Sequence, residues 1–327
     1  MHSEPAQRVP PQRPDAPVAP CSLAEARSTL YEHGRTFHAA ARLLAPDQRD
    51  RAARLYAFCR FVDDLADCSA DADQARSRLG LLRSAITQRR ARCAPSAGLL
   101  ALADDVSMPL SAAVALIDGA LSDLSIPIFS TERELVRYSY RVAGTVGLMM
   151  CPVLDVHDRN AWPRAIDLGI GMQLTNIARD IKDDAQSGRI YLPTEWTGID
   201  APPAMTAPDR RQAKQLAGGV RRLLDLAERY YASGMGGLRF LPFRARLSIH
   251  AAARMYREIG REVGREIDRH GYERWDKRTI VSGTRKLWLS IYGISIEAAS
   301  IPPRPMTHDA RLHRHLDLPE SVLTSIR

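Results

Sequence analysis

From Ser22 onward the chain is written almost entirely in helical period. Apolar residues recur three and four apart, and the alternation that would specify strands is nearly absent. That pattern admits an all-α fold and little else. Helices are expected near 22–44, 47–68, 71–92, 110–123, 131–151, 158–187, 208–236, 242–271 and 276–298. Pro46, Pro109, Pro193 and the pair Pro302–Pro303 punctuate them. Thr194 to Pro208 reads as a Pro-rich loop. No internal repeat of fixed period is present, and at 327 residues the expectation is a single all-α domain over 22–301, with room for a sizeable core. Residues 1–21 carry six prolines and few large apolar groups, so they are expected to form a disordered leader. Residues 302–327, with clustered histidines and arginines, are expected to be a loose tail.

Several function classes fall away early. No run of about 18 apolar residues is available for a membrane-spanning helix. The absence of a basic-then-apolar N-terminal pattern makes cytoplasmic residence the expectation. Five scattered cysteines with no C-x-x-C pair point to reduced thiols, and nine histidines without H-E-x-x-H give no zinc-hydrolase signature. The formal charge of +8 invites an anionic partner, but Arg and Lys are dispersed and no nucleic-acid-binding motif accompanies them.

The chemistry is concentrated in two acidic stretches. In QLTNIARDIKDDAQSGRIYLP, a turn of about 100° per residue puts Ile170, Leu174, Ile177 and Ile181 on one apolar stripe. Gln173, Asp180 and Asp184 lie on its shoulder, with Asn176 slightly further round. Arg179 and Lys182 project to the far side, with Asp183 near them. A solvated face would set its carboxylates opposite the buried stripe, whereas here two sit against it. Like charges one turn apart repel, and a buried carboxylate takes up a proton unless a cation neutralises it. A divalent ion such as Mg²⁺, which takes carboxylates together with substrate phosphate, answers that problem.

The earlier stretch, LYAFCRFVDDLAD, carries Leu55, Phe58, Phe61, Val62 and Leu65 on one side. Tyr56, Arg60, Asp63 and Asp67 line the other. Alone, this is equally a salt-bridged surface, with Arg60 pairing to Asp63 or Asp64. Two such stripes facing across a cavity would instead hold several metal ions against a diphosphate, above apolar walls that shelter a carbocation.

The stretches GRTFHAAARLL (34–44), YAFCRFVDDLAD (56–67), YSYRVAGTVGLMM (138–150) and DLGIGMQLTNIARDIKDDAQSGRIYLP (167–193) together resemble the squalene/phytoene synthase family of head-to-head isoprenoid condensing enzymes. The resemblance runs from about residue 22 to 300 and implies a helical isoprenoid synthase bundle around a central apolar cavity. It implies Asp63, Asp64 and Asp67 as the first metal-binding motif, and Asp180 and Asp184 with Asn176 as the second. His33, Arg35, Phe37, Tyr56, Arg60, Tyr138, Gln173, Asn176, Arg179, Tyr256 and Arg278 become candidate substrate contacts. Gly34-Arg35-Thr36 departs from the family's usual Ser-Lys/Arg-Ser, and position 183 is Asp where Glu is common. Phe37 and His33 also have plain packing readings, and Arg189, Tyr191 and Pro193 either end the helix or reach substrate.

The implied reaction joins two geranylgeranyl diphosphates through prephytoene diphosphate to phytoene, with Mg²⁺ or Mn²⁺ and no nicotinamide cofactor. Peripheral contact with the inner face of the cell membrane and other carotenoid enzymes as neighbours are part of that expectation. Ala40, Ala41, Ala52 and Ala53 leave room for C20 tails. The alternatives are a C15-using squalene, dehydrosqualene or hydroxysqualene synthase, and a non-catalytic assembly protein of the same fold.

Overall fold

A computed structural model describes residues 19–67, 71–274, 307–316 and 318, apart from the side chains of Arg35 and Arg274. Thirteen α-helices are found in those residues: α1 Leu23–His33, α2 Arg35–Ala41, α3 Pro46–Asp67, α4 Ala72–Thr87, α5 Ala94–Val106, α6 Leu110–Asp123, α7 Glu132–Ser139, α8 Thr145–Val153, α9 Trp162–Gln186, α10 Thr194–Thr197, α11 Pro202–Thr206, α12 Arg210–Met235 and α13 Phe243–Arg274. No strand occurs among them. One isolated bridge joins Ile128 to Ile190.

Local chemistry sets several of these boundaries. Ser22 and Glu25 form a reciprocal capping box: the Glu25 N–H donates to Ser22 Oγ at 3.2 Å, and the Ser22 N–H donates to Glu25 Oε2 at 2.7 Å. Thr131 with Glu134 and Asp209 with Gln212 start α7 and α12 in the same way. The helix expected over 22–44 breaks at Gly34, because a Cβ there would lie 2.9 Å from Cζ of Tyr56 on α3. The chain bends at the one residue that lets α1 and α3 close.

α5 was not expected. Pro95 falls in its first turn, where a missing N–H costs nothing. Leu99, Leu100, Leu102 and Ala103 then bury against the core. The Pro-rich stretch after Thr194 also holds two short helices, α10 and α11. The helix expected near 276–298 lies outside the described residues, as do 1–18 of the leader.

α9 is the axis of the bundle, packed against α8, α12 and α13. Ile166, Ile170, Leu174, Ile177 and Ile181 form its buried stripe, as the periodicity predicts. Between α7 and α8 the helix widens into one π turn, Tyr140–Gly144. Such turns insert an extra residue and recur at functional sites. The backbone of α9 then comes very close to α8 and to the π turn: a Cβ on Gly147 would sit 2.1 Å from the Ala165 carbonyl oxygen, and one on Gly169 2.3 Å from that of Ala143.

The loose tail gives way to packing over 307–316. Leu312 and Leu316 bury there, and the Tyr230 hydroxyl donates to the Leu312 carbonyl at 2.9 Å. The reason lies on α9, where the fully buried Asp167 takes its partners from this segment. Replacing Gly147→Ala should destabilise the protein by about 2 to 3 kcal/mol, the upper range of overpacking, read as a lower urea midpoint. An unchanged midpoint would contradict the close approach.

Candidate active site

Two joined spaces lie between α3, α9 and their neighbours. The lower is an apolar cavity of about 310 Å³ walled by α2, α3, α8, α9 and α13. The upper is a polar chamber of about 330 Å³, into which Asp63, Asp67, Asp123, Asp180 and Asp184 face. Asp63, Val142, Gln173 and Asn176 line both, so they form the passage from one to the other.

The chamber is rich in negative charge. Five carboxylates share its lining with two guanidinium groups, those of Arg179 and Arg189. Arg189 Nη2 donates to Asp67 Oδ1 at 3.2 Å, tying the end of α9 to the end of α3. Arg179 clasps Asp180 with two bonds, Nε to Oδ1 at 2.8 Å and Nη2 to Oδ2 at 2.5 Å. Burial first, and the neighbouring Asp67 carboxylate second, push Asp63 up to about 7. Asp63 is open to the chamber, which it lines together with Asp67. Burial and Asp180 push Asp184 up to about 7 in the same way. These carboxylates are placed where a proton or a cation is needed.

Asp123, at the C-terminal end of α6, was not expected. The Tyr138 hydroxyl donates to its Oδ2 at 2.8 Å and the Tyr191 hydroxyl to its Oδ1 at 2.9 Å. The two tyrosine rings stack with centroids 4.8 Å apart. Burial raises the Asp123 carboxyl to about 6, and these two bonds oppose the rise. A signal for it was present in the sequence. Asp123 follows Leu116 and Ala120 at helical spacing, and both also line the chamber.

The other candidates divide. Tyr56, Phe37 and Tyr256 line the apolar cavity and form an aromatic group, with Phe37 centred 5.4 Å from Tyr256 and 6.3 Å from Tyr56. Burial pushes the Tyr256 phenol up to about 12, so it stays a neutral hydroxyl. Arg179 corrects the angular projection. It lies across α9 from the apolar stripe, as projected, but that side is packed too, and the long side chain holds Asp180 and is largely buried in the chamber wall. Lys182 does stay away from the chamber, its ammonium 5.3 Å from the centre of the Tyr272 ring, and Asp183 is exposed.

Asp64 lines neither space and is held by Arg60 Nη2 at 2.5 Å. His33 is exposed at the end of α1 and lines neither space. The Arg35 side chain and Arg278 lie outside the described residues. Of the four alanines, Ala40, Ala41 and Ala52 line the cavity, whereas Ala53 is packed away in the core.

Both Asp63 and Asp184 hold protons more tightly in the folded protein than in the unfolded chain. The metal-free protein should therefore lose stability as pH rises from the ordinary carboxylate range through about 7, and level off above. Urea midpoints between about pH 5 and about pH 8 should fall more steeply for the wild type than for Asp63→Asn/Asp184→Asn. Equal slopes would contradict this reading of the chamber.

Comparison with known proteins agrees with the geometry. A model of the squalene/phytoene synthase family matches residues 30–285. A phytoene synthase of Rhodobacter capsulatus is 37% identical over 319 residues, covering 91% of this chain and 92% of that one. A 15-cis-phytoene synthase of Pantoea ananas is 34% identical over 305 residues, covering 88% and 96%. The crystal structure of a dehydrosqualene synthase with a bound ligand superposes with a TM-score of 0.70 at 26% identity, covering 85% of this chain and 96% of that one. The chain belongs to the squalene/phytoene synthase family.

Proposed function

We propose that this protein condenses two geranylgeranyl diphosphates head to head into phytoene, by way of prephytoene diphosphate, with release of both diphosphates. One observation carries the reading: an acidic chamber opens through Asp63, Val142, Gln173 and Asn176 onto a cavity with apolar walls. A diphosphate head and a hydrocarbon tail need those two environments side by side.

The chamber suits hard divalent ions, because its donors are carboxylate and amide oxygens with more negative than positive groups around them. Asp63 and Asp67 on one wall and Asp180, Asp184 and Asn176 on the other would hold them. Mg²⁺, with Mn²⁺ as the alternative, supplies charge neutralisation that turns the diphosphate into a good leaving group. The chain's own residues do the rest. Arg179 and Arg189 are already in the chamber wall and can exchange their aspartate partners for diphosphate oxygens. Asp123 fixes Tyr138 and Tyr191 as a rigid side wall. Once the allylic bond breaks, the cation lies near the faces of Phe37, Tyr56 and Tyr256, beside the apolar walls of the cavity. The second molecule's double bond attacks there, and proton loss closes the cyclopropane. A second ionisation releases the remaining diphosphate, and rearrangement followed by loss of a proton from the resulting cation gives the triene.

The alanines at 40, 41 and 52 keep the cavity wide and favour C20 tails over C15. Peripheral contact with the inner face of the membrane belongs to the same proposal, since a C40 hydrocarbon leaves water, and other carotenoid enzymes would take the product onward. Among the described residues no helix is long and apolar enough to cross a membrane. A non-catalytic role is disfavoured because both acidic stripes face one chamber.

Incubation of the purified protein with Mg²⁺ and either geranylgeranyl or farnesyl diphosphate should give a C40 hydrocarbon from the former. C30 product without C40 product would sink the proposal. Asp63→Ala or Asp180→Ala should cut turnover by about a thousandfold or more while leaving the helical circular dichroism intact. Undiminished turnover would overturn the site assignment.

A further inference from the structure

About 20 Å along α9 from Asp180, at 1.5 Å per residue, a second cluster of metal-ligating groups lies outside both spaces. The Asp167 carboxylate has no exposed surface. His308 Nε2 sits 2.8 Å from its Oδ2 and His313 Nε2 2.6 Å from its Oδ1. The two rings are 4.5 Å apart, and the Ser233 hydroxyl donates to Oδ2 at 2.5 Å. Both imidazoles are more than nine-tenths buried, with side-chain exposures of 9% and 3%. Among the described residues neither Nδ1 has a hydrogen-bond partner.

We propose that Asp167, His308 and His313 form a site for a borderline transition ion of the Zn²⁺ class, separate from the Asp-rich chamber. Two imidazoles, a carboxylate and a nearby hydroxyl are the donors such ions select, whereas Mg²⁺ prefers oxygen alone. This is the one group of three or more His, Cys, Asp or Glu side chains among the described residues whose donor atoms all converge. The present contacts are those of a proton-bridged cluster. Ligands about 2.0 to 2.1 Å from a tetrahedral ion stand roughly 3.3 Å from one another, so the three groups need to part by about half an ångström. No bond at Nδ1 fixes the tautomer of either ring. Each proton can therefore move from Nε2 to Nδ1, leaving a lone pair at Nε2 for the ion. Ser233 or a water completes four-coordination.

The buried Arg164 beside Asp167 opposes added positive charge, so the affinity is below that of a dedicated zinc enzyme. Its structural effect is nonetheless defined. The ion ties segment 307–316 to α9, the helix that carries Asp180 and Asp184, and to Ser233 on α12.

The test uses the full chain in excess Mg²⁺, which keeps the chamber occupied. Equilibrium dialysis should show one Zn²⁺ bound per chain. X-ray absorption with zinc below one equivalent should show a mixed nitrogen and oxygen shell with imidazole scattering. That measurement needs no variant. His308→Ala/His313→Ala should lose the bound zinc and the accompanying rise in melting temperature, whereas Asp63→Ala should keep both. No zinc uptake, an all-oxygen shell, retention by the double variant, or loss in Asp63→Ala would each overturn the site.

Discussion

Repulsion among the carboxylates of one chamber is the constraint around which the rest is arranged. Asp63 and Asp67 come from α3, Asp180 and Asp184 from α9, and Asp123 from α6. Gathering them costs stability: burial first, and a neighbouring carboxylate second, raise Asp63 and Asp184. The cost is offset elsewhere, by the apolar stripes that the same helices bury. Three of the five adjoin a core residue in sequence: Asp63 beside Val62, Asp180 beside Ile181, Asp184 beside Ala185. The core thus fixes the positions of charges that would otherwise move apart. Arg189 bridges the two motif helices and limits the strain until substrate and metal arrive.

The close approach of α8 to α9 extends the same logic downward. Gly147 and Gly169 remove side chains where the two backbones meet, and the π turn before α8 sets Val142 at the passage. Above that level the lining is charged, and below it alanine and leucine dominate. A diphosphate is thereby kept at one end and the reactive carbon delivered to the other. Among the described residues, the division of environments that ionisation requires is built from helices of the scaffold.

Much of this was legible in the residues alone, because it rests on period and phase. The apolar stripe of α9 and the shoulder position of Asp180 and Asp184 follow from 100° per residue, and both are where that angle puts them. Arg179 defeated the same projection, since a helical angle gives the direction of a Cα–Cβ bond and says nothing of where a long guanidinium side chain ends. Asp123 was passed over because it is a single acid with no motif around it, although its phase with Leu116 and Ala120 matched the rule applied to α9. α5 was hidden by a proline in a position where proline is harmless. The docked segment around His308 and His313 was unreadable for a different reason. Its anchor is Asp167, 141 residues away from His308, and no local pattern reports a partner at that distance.

The account stands on metal ions and diphosphate being bound together by opposed carboxylates. Calorimetric titration of inorganic pyrophosphate tests that directly. In the wild type, Mg²⁺ should strengthen pyrophosphate binding by at least about a hundredfold, roughly 2.7 kcal/mol of coupling, and Asp63→Asn/Asp180→Asn should abolish the coupling. Pyrophosphate binding of equal strength with and without Mg²⁺, or coupling that survives in the double variant, would contradict it.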